Sequence, residues 1–162
     1  MTVLRWLPRI VAALVALIAL LFFGARFHDG PLGPIPGGPL SAGEAVSGPI
    51  SDWSFAKDTG EIEMQLASQQ RSRTVWFFVI DGKAYVPCSL GFPPGKAWHK
   101  QAAVNGDATL RIDGKRYAVK LTKLDDAVVQ QMGDAVRAEL SRKYGRLPSS
   151  DAGVWIFSVA SR

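Results

Sequence analysis

Three hydrophobic patterns follow one another along the chain. The first is IVAALVALIALLFFGA, Ile10 to Ala25, which has no charged residue and no polar face. Its 16 residues would form about 24 Å of helix, and Trp6, Leu7 and Phe27 extend it towards the roughly 30 Å of a bilayer core. We therefore predict an N-terminal membrane anchor within residues 1–28. A cleaved signal peptide, which also joins a basic start to an apolar stretch, is the alternative.

The charges that flank this apolar helix predict its orientation. Arg5 and Arg9 precede it, and Arg26 follows it with Asp29 close behind. Because positively charged flanks stay in the cytoplasm, we expect a single-pass protein of the bacterial inner membrane. Its C-terminal domain would then lie on the periplasmic side.

The second pattern is the Gly/Pro-rich segment, residues 29–50, in which 11 of 22 residues are Gly or Pro. This composition predicts that neither helix nor sheet persists. One interpretation is a linker that lifts a domain off the membrane. The other is a loop that lies on the surface of that domain, which Ile35 and Leu40 would permit.

The third pattern, from residue 51 to 162, is that of strands. Glu61–Ser68 alternates apolar and polar residues, whereas Arg73–Ile80 is continuously apolar after its start, as expected for a central strand. Asp81-Gly82 is a hairpin turn signal, and the returning strand should end or reach an edge at Pro87.

The rest of this region contains two helical patterns and three further strands. They are a short helix over 97–104 with a glycine stop at 105–107, strands over 108–113 and 115–124, one long helix from Asp125 to Tyr144 with Gly145 as its stop, and a final strand over 154–160. Antiparallel hairpins dominate. The pattern predicts an α+β domain, a small antiparallel β-barrel of five or six strands with one short and one long helix.

Composition narrows the classes of function. The net charge is +5, but removing Arg5, Arg9 and Arg26 from the 19 Lys and Arg leaves 16 cations against 14 anions. A nucleic-acid-binding surface would keep its excess, so we expect no nucleic acid partner. With one cysteine, and two histidines 71 positions apart, neither a disulfide nor a metal site is expected.

The stretch GFPPGKAWHKQAAVNGD carries the candidate chemistry. Its Gly/Pro corner precedes a helix start, where backbone N–H groups bind phosphate well, and Lys96 and Lys100 lie four residues apart on one helical face. Between Arg71 and Lys120 there are nine cations and three anions. We expect Arg71 and Arg73 to approach the same anion site. Solvated surface charge is the plainer alternative for each lysine.

The stretch Asp81–Asp126 resembles the deazaflavin-dependent nitroreductase-like branch of the split β-barrel superfamily, which also includes pyridoxamine 5'-phosphate oxidases. In that branch a DG…YV hairpin leads to a loop with Gly and Lys and then to a helix that begins Ala-Trp, here Ala97-Trp98. Asn105 and the later Lys143-Tyr144 also match, and the similarity runs from about residue 52 to 162.

The resemblance implies FMN or a deazaflavin as cofactor, held between two copies of the barrel in a homodimer. It implies that Lys96, Lys100 and Ser89 hold the phosphate and that Trp98 shapes the ring site, with core packing as the alternative for Trp98. The chemistry would be redox and the cofactor would perform it.

Three hypotheses follow for the function. The first is a membrane-anchored split-barrel domain that binds a phosphorylated flat ligand, as a flavin-dependent oxidoreductase if it is catalytic. The second is a degenerate barrel that acts as a non-catalytic binding or scaffold module at the membrane. The third is an enzyme that uses Cys88 with His99 as base, in a basic neighbourhood expected to lower the pKa of the thiol. The plainer alternative for Cys88 is a small packed side chain.

Overall fold

The computed structural model describes residues 3–91, 93–144 and 153–162, and these form an α+β fold with an eight-stranded sheet. The elements are α1 (Val3–Ala25), β1 (Glu44–Val46), a 3₁₀ turn (Ser54–Ala56), β2 (Glu61–Leu66), β3 (Ser72–Trp76), β4 (Phe78–Ile80), β5 (Lys83–Ser89), α2 (Trp98–Val104), β6 (Asp107–Ile112), β7 (Lys115–Lys123), α3 (Asp126–Gln131), α4 (Gly133–Tyr144) and β8 (Val154–Ser161). The predicted α+β class is confirmed, but the described residues form eight strands where five or six were predicted. The stop predicted at Gly145 lies outside the described residues.

The sheet has the order β3-β2-β6-β7-β8-β5-β4, with antiparallel neighbours throughout. The strands at its two ends, β3 and β4, are consecutive in the chain, and Phe77 alone separates them. The two edge strands of the sheet, β3 and β4, are therefore the two halves of one kinked segment of the chain. The sequence predicts a single strand over 73–80, and this prediction is wrong at Phe77.

The kink at Phe77 is held by hydrogen bonds from outside the sheet. The Phe77 N–H donates to the carbonyl of Gly60 at 2.8 Å and to the hydroxyl of Tyr144 at 3.1 Å. The ammonium of Lys143 donates to the carbonyls of Thr59 at 2.6 Å and Phe77 at 3.3 Å. Burial raises the pKa of Tyr144 to about 12, so its hydroxyl stays protonated near neutral pH.

Apolar side chains form one cluster inside the curved sheet and a smaller one outside it. Met64, Leu110 and Phe157 are fully buried inside. On the outer face Val136 and Leu140 of α4 pack against the residues Phe78, Tyr85 and Ile156. The predicted long helix is in fact two, α3 and α4, which meet at Met132 and Gly133, where a glycine weakens helix continuity.

The two Asp-Gly turns are as predicted, whereas the glycine stop predicted at 105–107 differs. Asp81-Gly82 and Asp113-Gly114 all have positive φ, as a two-residue hairpin requires. Gly106 is not a left-handed helix cap, because its φ is not positive; a Cβ there would lie 1.8 Å from the Leu121 carbonyl oxygen. Pro87 lies within β5 and is paired with Ile156 of β8. On its other side β5 pairs with β4 only from Lys83 to Tyr85, so Pro87 lies beyond that pairing.

The C-terminal end of the apolar helix and the segment after it contact the domain. The 20-residue stretch Trp6–Ala25 has a mean hydropathy of 2.4 in its 18-residue window. It is long and apolar enough to cross a membrane, a property that signal sequences share. Ala25 is buried, so the end of α1 contacts the domain. The Gly/Pro-rich segment follows the second interpretation: it lies on the domain surface, and its residues 44–46 form β1, which pairs in parallel with β7. The prediction that it holds no sheet is wrong there.

Several hydrogen bonds fasten this segment. Arg111, on β6, forms ion pairs with Asp29 and Glu63, and its guanidinium also donates to the carbonyl of Ala42 at 3.2 Å. The Ser72 hydroxyl donates to the Gly38 carbonyl at 2.6 Å. The segment is therefore attached to β3 and β6 by specific contacts along its length.

Candidate functional site

The predicted anion loop leads into a short helix with one buried face. α2 has seven residues and begins after Ala97, whose side chain makes no capping hydrogen bond. Trp98, His99 and Ala102 are buried, whereas Lys100 is exposed. A helix this short contributes little dipole, so any anion held here depends on side chains.

Trp98 is a core residue. It is 6% exposed, belongs to the interior cluster, and its ring centroid lies 5.6 Å from that of Phe157. This is the core alternative that the sequence left open. Protein atoms cover most of the indole in this position. No ligand contact tests the predicted role of Trp98 in a ring site, which stays a prediction.

Lys96, Lys100 and Arg73 converge at one end of the sheet, and we call these three residues the basic cluster. The charges of Lys96 and Arg73 both work to lower the pKa of the Cys88 thiol. Those of Lys96 and Lys100 both work to lower the pKa of the His99 imidazole. The side chains of Lys100 and Arg73 form no ion pair within the described parts of the chain. These interactions place Arg73 and Lys96 near the same thiol, and the approach of Arg71 and Arg73 to one anion site with the loop lysines stays a prediction.

Two buried nitrogen atoms beside the basic cluster have no hydrogen-bond partner among the described residues. They are Nε of Arg73 and Nδ1 of His99, whose side chain is 5% exposed. Burial, followed by Lys96 and Lys100, lowers the pKa of His99, so the imidazole is neutral at pH 7. Because buried polar groups are almost always satisfied, these atoms indicate a place where a polar ligand or water completes the structure.

The other end of the Arg73 guanidinium is held in place. It donates to the side-chain oxygen of Gln69, whose amide donates in turn to Gln101 of α2. Burial, and then the nearby Arg71, lower the pKa of Arg73 to about 10, so it remains a cation at neutral pH. The chain of contacts fixes α2 to the start of β3, which keeps the three cations together.

Cys88 does not have the chemistry of an activated nucleophile. Burial raises the pKa of its thiol to about 11, even though Lys96 and Arg73 act in the opposite direction. The expectation of a lowered pKa is therefore wrong, because desolvation of the thiolate outweighs the neighbouring cations. Cys88 is 3% exposed within the interior cluster and is a packed side chain, its plainer alternative.

We expect Cys88 in the folded protein to react with iodoacetamide at pH 7.5 more than about a hundredfold more slowly than a free cysteine, whose pKa is about 8.5. Mass spectrometry of the intact chain over time measures the rate. The same chain unfolded in urea is the control and should react as free cysteine does. Equal rates in the folded and unfolded protein would contradict the buried thiol.

Ser89 and a neighbouring aromatic residue extend the site. Ser89 is the last residue of β5, is half-buried and lies opposite Val154. Next to it, a groove of about 380 Å³ is lined by Leu90, Asp126, Val129, Gln130, Gly153, Val154 and Trp155. The rings of Trp155 and His99 are in edge-to-face contact, with their centroids 5.1 Å apart. The Lys123 ammonium lies over the Trp155 ring, 4.5 Å from its centroid.

Sequence reasoning missed Trp155, because within VWIFSVA it looks like any other apolar strand residue. Only the pairing of Trp155 with Cys88 across β8 and β5 brings it beside the loop. In the described ranges no group of three or more His, Cys, Asp or Glu side chains could hold a metal ion.

Fold and site together define an α+β protein with a curved, mostly antiparallel sheet, a basic cluster at one end of it, and an adjoining aromatic groove. No family model and no curated protein matches the chain. A solved structure of a pyridoxamine 5'-phosphate oxidase-like protein from Listeria innocua is similar over 63% of this chain and 82% of its own, at 12% identity and a TM-score of 0.35. So distant a similarity carries no argument, and the function has to be inferred from the chain's own residues.

Proposed function

We propose that this protein is a membrane-anchored split-barrel domain that binds a phosphorylated flat ligand of the flavin type, FMN or a deazaflavin. The observation that carries the proposal is the basic cluster, because one of its three cations, Arg73, and the adjacent His99 each have a buried nitrogen without a hydrogen-bond partner among the described residues. A phosphate would supply the negative charge that balances these cations and the oxygen atoms that accept hydrogen bonds from unpartnered N–H groups.

The residues fit the two parts of such a ligand differently. The phosphate would be held by Lys96, Lys100 and Arg73, with Ser89 at the edge of the site. The ring would lie against Trp155 in the adjoining groove. The volume of this groove, about 380 Å³, is within the range of small-molecule sites. When bound, a flavin supplies redox chemistry; the chain supplies charge, an apolar wall and a fixed position.

The proposal also includes the arrangement of the chain. The sheet closes as a split barrel through the shared β3–β4 segment, and α1 is an uncleaved membrane anchor with the domain on the periplasmic side. A homodimer would cover the exposed side of the ring site. The membrane anchor and its orientation are supported by the 20-residue apolar helix and by the arginines on either side of it.

Binding to the full-length chain in detergent micelles tests the ligand. FMN should bind at least about tenfold more tightly than riboflavin, which has the same ring and no phosphate, because a charge-assisted contact is worth about 1.5 kcal/mol or more. Quenching of flavin fluorescence measures both affinities, and a phosphorylated deazaflavin is assayed in parallel by absorbance.

Variants then locate the phosphate. Lys96→Ala and Lys100→Ala should each remove most of the preference for FMN over riboflavin. Lys83→Ala is the matched control, since Lys83 is exposed at the opposite end of β5. Equal binding of FMN and riboflavin, or no quenching by either, would overturn the proposal.

A second function, the non-catalytic binding or scaffold module, is favoured by the burial of Trp98 and by the raised pKa of Cys88, since the first residue is then not an exposed stacking ring and the second is not an activated nucleophile. This module would remain in the membrane fraction and bind no flavin. The same titration therefore separates the two functions.

A further inference from the structure

A second basic groove lies where α1 meets the domain. Ala19, Phe22 and Phe23 of α1, together with Arg26 and Arg71, line a groove of about 240 Å³. Phe22 and Phe23 are exposed, whereas Ala25 is buried against the domain. The groove thus has an apolar wall made by the helix and a cationic end made by two arginines from separate parts of the chain.

The cationic end of this groove is not neutralised by the protein. Arg26 and Arg71 form no ion pair within the described residues, and Asp29, the acid nearest to Arg26 in the chain, is paired with Arg111. Arg71 donates to the Pro36 carbonyl at 2.9 Å, which fixes its position, and its buried Nε has no partner among the described atoms. An anion here would also offset the repulsion between Arg71 and Arg73.

The spacing of the apolar and charged parts matches a lipid. Ala19 and Arg26 are seven residues apart, which along a helix is about 10 Å, the distance from a headgroup phosphate into the upper acyl chains. We propose that this groove binds one anionic phospholipid, with its phosphate between Arg26 and Arg71 and an acyl chain against Ala19, Phe22 and Phe23. The inference rests on the membrane anchoring in the proposed function.

Stability of the full-length chain in detergent micelles, measured as lipid is added, tests this site. Phosphatidylglycerol should raise the melting temperature at concentrations about tenfold lower than phosphatidylcholine does, because two arginines favour net negative charge. Glycerol phosphate, the headgroup chemistry without acyl chains, should have no effect at the same concentrations, since it lacks the contact with the apolar wall.

Three variants locate the lipid. Arg26→Gln and Arg71→Gln should each weaken the response to phosphatidylglycerol about tenfold, and Arg26→Gln suffices if Arg71→Gln does not fold. Arg137→Gln is the matched control, because this exposed arginine of α4 has Asp134 as its only side-chain partner among the described residues. Equal responses to the two lipids, an unchanged Arg26→Gln, or saturation by glycerol phosphate would each overturn the inference.

Alkaline extraction of membranes separates this failure from that of the proposed function. A chain that leaves the membrane fraction lacks the anchor, and both proposals fail together. A chain that stays in the membrane but does not distinguish the lipids overturns the lipid site alone. Flavin binding does not involve Arg26, so its titration is independent of the lipid result.

Discussion

Replacing Gly106 with alanine should lower the free energy of unfolding by about 3 kcal/mol or more. A Cβ at this position would lie 1.8 Å from the carbonyl oxygen and 2.7 Å from the carbonyl carbon of Leu121. Both are backbone atoms of β7, held in place by the Leu121 N–H, which donates to the Gly106 carbonyl at 2.8 Å. The start of β6 would therefore have to move away from β7. Urea unfolding of the chain in micelles, followed by tryptophan fluorescence, measures the change.

Gly133→Ala is the matched control for this substitution. Nothing lies within 4 Å of a Cβ at Gly133, and the residue begins α4 without a positive φ. The same chemical change should therefore stabilise the protein by about 0.5–1 kcal/mol, through helix propensity alone. Equal effects at the two glycines would show that the close approach at Leu121 is wrong.

Arg111→Met should cost about 2–4 kcal/mol, because it leaves two partly buried carboxylates without their shared cation. Arg111 is 13% exposed in its side chain and pairs with both Asp29 and Glu63. Arg137→Met is the control and should change stability by less than about 0.5 kcal/mol, since the ion pair that Arg137 forms within the described part of the chain is with an exposed carboxylate, that of Asp134. Urea unfolding at pH 7 measures both variants.

The pH dependence of stability gives the same pair a second readout. Burial alone would raise the pKa of Asp29, but hydrogen bonds from Ser41, Arg111 and Ala42 outweigh it and hold this pKa well below its usual value. A carboxyl whose pKa is depressed in the folded state stabilises the protein above its unfolded pKa, near 3.9, and this contribution is lost as the pH falls below that value. Arg111→Met should lose less stability between pH 5 and pH 3 than the native chain. Parallel pH profiles would contradict this account.

Local signals predicted most of the fold correctly, and distant partners account for the rest. The Asp81-Gly82 turn and the alternating β2 depend on neighbouring residues, so sequence reasoning finds them. β1 pairs Glu44 with Lys115, far along the chain, and its Gly/Pro-rich surroundings gave no strand signal. The break at Phe77 is likewise set by Gly60 and Tyr144, which no local pattern can supply.

The candidate site divides in the same way. Lys96 and Lys100 were predicted because their spacing within the loop and α2 is local. Trp155 was missed because only the pairing of β8 with β5 places it beside the loop. For Cys88 the nearby cations are visible in the sequence, but burial is not, and burial decides the direction of the pKa shift.

The position of β8 has a consequence for the order in which the chain folds. β8 follows every other strand in the chain, yet it lies between β7 and β5 in the middle of the sheet. Before β8 has been made, the pairing of the strands within 61–123 gives two groups, one with β3, β2, β6 and β7 and the other with β5 and β4, and the continuous β3–β4 segment connects them. The sheet becomes continuous once residues 154–161 have been made, so native stability should arise late and in one cooperative step.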